Sequence, residues 1–262
     1  MKLIINSFVL FFITVIIFTG CKTNNPVQPQ NTDNSIYFPN GNGTYYLYSL
    51  NVTDSLTDIR SVGTKSTSFN GTAILNNTTY QQQVDSIFTA GVAASTNISY
   101  FRKDASGIYY FFDTTGLYQL IPSQYLQVLS ISSELRLLST PLSDGLTWQV
   151  YKLGVALLNY NFIDIEATYL GKENITLNLT SGNVSVSAAK IKYVFALQYP
   201  NPNSPLISVK NTLTAYGWFV ADIGPVQWQG NSAVLNGFSG GGINLGDTTN
   251  NVSQSLINYN IK

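Results

Sequence analysis

Between residues 175 and 187 apolar and polar side chains alternate almost without a break. Ile175, Leu177 and Leu179 are separated by Thr176 and Asn178, the turn residues Ser181-Gly182-Asn183 follow, and Val184 and Val186 then alternate with Ser185 and Ser187. On extended backbone successive side chains point to opposite faces, so a period of two marks strands with one covered face. The same style recurs at 44–52, with Tyr45, Tyr46, Tyr48 and Leu50, and at 190–195, 206–220, 226–230 and 256–261. Residues 97–103 and 108–113 flank Asp104-Ala105-Ser106-Gly107, a hairpin signal. Seventeen Tyr and 14 Phe reinforce the preference for strands. The chain is therefore expected to be mainly β and antiparallel, with at most one or two short helices. The stretch 123–138 is the candidate helix. Tyr125, Leu126, Leu129, Ile131, Leu135 and Leu138 partly fit helical spacing after Pro122, while Ser130-Ile131-Ser132-Ser133 argues against it.

Composition excludes several functions. Charged residues are only 10% and the formal net charge is zero, with no Lys/Arg run to follow phosphates, so nucleic acid is not an expected partner. There is no histidine, hence no imidazole base or imidazole metal ligand. With one cysteine, Cys21, no disulfide forms within the chain. Gly240-Gly241-Gly242 lacks the Lys-Ser/Thr of a P-loop and reads as a loop. No cofactor and no metal site is expected. Asp164 and Glu166 lie two apart and would share one strand face, which alternation places toward solvent. A glycosidase needs two converging carboxyls. A carbohydrate-active enzyme is therefore only a distant alternative, and the expectation is no enzyme.

The first twenty residues have the form of a secretory signal: Lys2, then a nearly continuous apolar run over 3–18, then Thr19 and Gly20. An uncleaved membrane-spanning anchor and an ordinary secretory signal with an incidental Cys21 are the other readings of this segment. The fall of the sole cysteine at the end of the apolar run favours lipid attachment. Phe18-Thr19-Gly20-Cys21 resembles a bacterial lipobox, with Phe where Leu is commonest. That resemblance implies cleavage after Gly20 and lipidation of Cys21, so that the membrane is a partner through acyl chains. Residues 1–20 are then a signal peptide, 21–40 a flexible tether with Pro26, Pro29 and Pro39, and 41–262 one antiparallel β domain. Lys22-Thr23-Asn24-Asn25 has neither an acidic cluster of the surface-export kind nor an Asp directly after the cysteine. By elimination this points to the outer membrane, facing the periplasm.

Three segments taken in order carry a second resemblance: Pro141 through Trp148, Val184 through Tyr193, and Gly217 through Val226. Together they are similar to the LolA/LolB-like group of envelope proteins. The resemblance implies a strongly curved antiparallel sheet, or half-open barrel, whose concave face binds a hydrophobic ligand or lipid-bearing partner. A structural or adhesive envelope protein without a pocket is the alternative. Within the segments, Trp148 and Trp218 adjoin Gly-containing turns and are expected to be buried, with Trp228 contributing less. Four triplets, at Ser55, Ser86, Thr114 and Thr248, resemble the Asp-Ser/Thr acceptor for O-glycosylation in Bacteroidetes-like bacteria.

Overall fold

The computed structural model describes residues 34–89, 92–112, 114, 129, 131–155, 160–201, 204–238 and 248–262. Twelve strands make a single antiparallel sheet. They are β1 (Tyr45–Asp54), β2 (Arg60–Leu75), β3 (Thr78–Thr89), β4 (Val92–Asp104), β5 (Gly107–Phe111), β6 (Glu134–Ser139), β7 (Thr147–Val155), β8 (Tyr160–Leu179), β9 (Gly182–Asn201), β10 (Ser204–Val220), β11 (Gly224–Asn231) and β12 (Asn250–Asn260). Among the described residues one short α-helix, α1 (Ser232–Gly237), follows β11, with the Asn231 side chain accepting from Ala233 N as its cap.

Except for β6 and β7, strands adjacent in sequence pair with each other, and β12 also pairs with β1. The order is that of an up-and-down barrel, nearly closed, whose one unlaced seam lies between β6 and β7. Local chemistry sets the turns. Asn76 and Asn77 both have positive φ, 47° and 64°, and link β2 to β3 in the two-residue turn that matches strand twist. Asp104 Oδ1 accepts from Ser106 N at 2.8 Å and Gly107 N at 3.2 Å, which fixes the β4–β5 hairpin.

Side chains cross the seam where backbone does not. Trp148 Nε1 donates to Arg136 O at 3.1 Å, and the rings of Phe112 and Tyr151 meet edge-on at 5.0 Å. Both flanking strands are bulged. Leu137 is the extra residue of β6, and its carbonyl accepts from Tyr193 Oη at 3.1 Å. Val150 is the extra residue of β7, and Gln149 Nε2 donates across the bulge to Tyr151 O and Ile165 O at 2.9 and 2.7 Å. Bulges and self-satisfied carbonyls make poor templates for a further strand.

The expected helix at 123–138 is corrected in its last turns. Residues 134–139 form β6, with Leu135 and Leu137 buried at strand spacing; residues 115–128 lie outside the described residues. The expected start of the domain also moves. Residues 34–37 form a 3-10 turn, and Phe38, assigned to the tether by composition, is buried against Phe69, Phe101 and Tyr110. Lys103 Nζ donates to Phe38 O at 3.1 Å and Tyr46 Oη to Pro39 O at 2.9 Å, so the segment is tied in by its carbonyls.

The core is the barrel interior. Tyr46, Phe69, Phe101, Tyr193, Phe195 and Phe219 are all but fully buried there. At Gly171, where φ is +97°, the β8–β9 register shifts. Beyond that bulge the hairpin reaches back to β12, where Thr180 N donates to Ile257 O at 2.8 Å. The alternation read at 175–187 thus covers the outside of the barrel. Trp218, expected to be buried, is buried beneath this arm: its indole nitrogen donates to Glu173, and Lys190 Nζ lies 5.0 Å from its ring centre. Trp148 is likewise buried.

Candidate functional site

The strands that look least like strands in the sequence hold the most polar part of the interior. Register places Tyr48 of β1 opposite Lys65 of β2, Tyr46 opposite Thr67, Thr67 opposite Asp85 of β3, and Phe69 opposite Gln83. With a period of two, Lys65, Thr67, Gln83 and Asp85 all face inward, where a soluble sheet would ordinarily place apolar side chains.

Asp85 is only 2% exposed and is held by three donors. Lys65 Nζ stands 3.0 Å from Oδ2, Gln83 Nε2 also 3.0 Å from Oδ2, and Thr67 Oγ1 2.5 Å from Oδ1. Tyr110 Oη donates to Gln83 Oε1 at 2.6 Å, which fixes the amide so that its nitrogen faces the carboxylate. Tyr48 Oη donates to Pro225 O at 2.8 Å. A buried carboxylate without such partners would carry a prohibitive desolvation cost. Burial pushes the phenols of Tyr48 and Tyr110 well above the ordinary tyrosine range, and the nearby Asp85 charge pushes the same way.

The network borders a cavity of about 40 Å³. Its polar wall is Tyr48, Lys65, Thr67, Gln83, Tyr110 and Gln254, and its apolar wall includes Phe38, Phe69 and Leu137. Trp228, Leu235 and Phe238 close the remaining side. The α1 segment supplies the last two, with Phe238 stacked on Trp228 at 6.0 Å and 4.9 Å from the Tyr193 ring. Gln254 sits on β12 between Leu50 and Trp228, buried, and its Oε1 has no partner among the described residues. Chemically the site is a compensated ion pair with hydroxyl and amide donors. The Asp85 oxygens already accept three bonds, so the carboxylate is poorly placed to take a proton from a substrate.

The residues singled out in the sequence lie elsewhere. Cys21 and Gly240 through Gly242 are outside the described residues. Asp164 and Glu166 share the outer face of β8, as alternation requires. Asp164 accepts from Gln149 Nε2 at 2.8 Å and Glu166 is exposed, so they converge on no cleft. Ser55 stands on the exposed β1–β2 turn and donates from Oγ to Thr249 O at 2.6 Å, which brings it beside the half-buried Thr248. Ser86 shares a 3.2 Å hydrogen bond with Thr96 on the outer face of β3, while the Asp85 of its triplet is turned inside. Thr114 is half-buried just past β5. Among the described residues no group of three or more His, Cys, Asp or Glu could hold a metal, and no helix is long and apolar enough to cross a membrane.

No protein-family model matches the chain, and no curated protein matches it. Among solved structures it is similar to a protein of Bacteroides fragilis NCTC 9343 described as exported, with a YmcC-like fold. The TM-score is 0.44 at 11% identity, over 86% of this chain and 99% of the other. It is also similar to a protein of Parabacteroides distasonis ATCC 8503 described as a lipoprotein. There the TM-score is 0.45 at 11% identity, over 87% of this chain and 100% of the other. At such identity and scores the likeness does not extend to function.

Proposed function

We propose that this chain is a lipid-anchored, non-enzymatic protein of the bacterial cell envelope, and that its barrel is a rigid structural or adhesive body rather than a carrier. The observation that carries the second half is the filled interior. Pockets for small-molecule ligands span roughly 300–1,000 Å³. Here Tyr46, Phe69, Phe101, Tyr193, Phe195 and Phe219 are all but fully buried in the interior, and the cavity beside the Lys65–Asp85 network, lined by Phe69 of these six, is about 40 Å³ among the described residues. A hydrophobic ligand on the concave face, as the LolA/LolB-like resemblance implies, would have to displace the protein's own aromatic rings. The first half rests on the apolar run over 3–18 and on Cys21 at its end. Attachment by acyl chains to the outer membrane, facing the periplasm, is the address that the residues after Cys21 favour.

Two measurements test the reading. Cells fed a clickable fatty acid should label the wild type and leave Cys21→Ser unlabelled as an unprocessed precursor; equal label on both defeats the anchor. Native mass spectrometry of protein extracted from its own envelope should show the barrel without bound lipid. A stoichiometric lipid that survives extraction would replace the structural body with a carrier.

A further inference from the structure

We infer that the barrel interior is a binding site for ordered water, a small permanent cluster that joins Gln254 of β12 to the Lys65–Asp85 ion pair across the cavity. Three observations lead there. Gln254 is 8% exposed and lines the cavity, and its Oε1 has no protein partner among the described residues. An amide oxygen in that position needs a donor, and buried polar groups in folded proteins nearly always find one. Lys65 lines the same cavity, and its ammonium carries three protons, of which the Asp85 carboxylate at 3.0 Å takes one. Finally, the space is the right size and polarity. A cavity of about 40 Å³ holds a few waters, each needing roughly 10–15 Å³ of such space. Cavities that stay dry are lined by hydrocarbon, whereas this one has an ammonium, two amides and hydroxyls on one wall.

The chemistry of the cluster follows from the donor and acceptor count. A water beside Gln254 donates to Oε1, and a water beside Lys65 accepts from Nζ. Tyr48 Oη, whose proton is committed to Pro225 O, can accept from either. The cluster thereby completes the solvation of a charge pair that the strands alone leave half-solvated. Phe38, Phe69, Leu137, Trp228, Leu235 and Phe238 form the apolar wall of the same cavity. This is a ligand of the fold rather than a substrate, and it stands whether the barrel is a structural body or a carrier.

The test uses the full-length wild-type protein, isotope-labelled, with two readouts. Water-to-protein nuclear Overhauser peaks are expected at the Gln254 side-chain amide, with the sign of a long-lived bound water. Dissolved xenon, which enters dry apolar cavities, is expected to leave the Leu137 and Leu235 methyl resonances unshifted. In Gln254→Met, of nearly equal volume, water peaks at the Gln83 side-chain amide, which lines the same cavity, should weaken. Wild-type protein that shows no long-lived water and shifts those methyl resonances with xenon would overturn the inference, whatever the fate of the variant.

Discussion

The indole of Trp228 covers Gly217 on the inner face of the barrel. A Cβ built at 217 would stand 2.6 Å from Trp228 Cζ3 and 3.0 Å from Cε3 of the same ring. The two residues are direct partners in the β10–β11 ladder, and the ring fills the space that a side chain at 217 would take. Trp228 also meets Phe219 at 5.4 Å and Tyr193 at 5.9 Å. As expected from sequence, Trp228 is only half-buried whereas Trp148 and Trp218 are buried, yet its ring, like that of Trp148, is on the face of the sheet that carries Tyr193. Gly217→Ala should cost about 1–3 kcal/mol by overpacking, and Trp228→Ala less than the roughly 3–5 kcal/mol of a fully buried tryptophan, because its ring is half-buried. Denaturant melts of the two variants check this. A Gly217→Ala protein as stable as wild type would mean that the ring is free to move aside.

The interior ion pair predicts an asymmetric response to mutation. Lys65→Met leaves Asp85 charged, buried and short of its cation, a change that typically costs about 3–5 kcal/mol. The double variant Lys65→Met, Asp85→Leu removes both charges and should recover much of that loss. Equilibrium unfolding of wild type, both single variants and the double closes the cycle. Additive losses would show that the two side chains are not coupled.

Alkaline pH should unfold the barrel through its buried phenols. Tyr48, Tyr110 and Tyr193 are raised well above the ordinary range by burial, and Tyr80 is pushed up to about 12 by burial and its bond to Glu134. A group whose folded pKa is raised contributes stability below its unfolded value, near 10, and that stability is lost as pH climbs toward the folded value. Absorbance at 295 nm should show these buried tyrosines ionising only above pH 10, in step with loss of the β signal in circular dichroism. All 17 tyrosines titrating in one wave near pH 10 with the fold intact would refute this.

Exchange should be fastest at the seam. No backbone ladder joins β6 to β7, whereas β1 and β12 are paired through Asp54 and Asn250. Trp148→Phe keeps a ring but removes the indole donor to Arg136 O. Hydrogen exchange should then quicken in β6 and β7 and stay unchanged in β1 and β12. Uniform quickening would indicate global destabilisation, and no change would mean that the indole bond does not hold the seam.

Period-two alternation made the β class legible in the sequence, and so were the turns whose chemistry is local. Asp104 through Gly107 closes the β4–β5 hairpin as its residues dictate, and 206–220 and 226–230 fall within β10 and β11. Among the strands that alternation did not find, besides β7 and the first half of β8, were β2 and β3. Their inward face carries Lys65, Thr67, Gln83 and Asp85, so the contrast between faces that marks a strand is erased. Polar residues there are tolerable because Lys65, Thr67, Gln83, Asp85 and Tyr110 bond one another across β2, β3 and β5, beside a cavity that Tyr48 of β1 and Gln254 of β12 also line. The sequence by itself determined strand period, hairpin turns and the apolar run that precedes Cys21, because each depends on neighbours along the chain. Tertiary structure alone decided which face is inside, that β12 returns to β1, that 134–139 is strand rather than helix, and that a lysine and an aspartate meet in the core. Those outcomes depend on which distant side chains share a desolvated space, and no local periodicity encodes that.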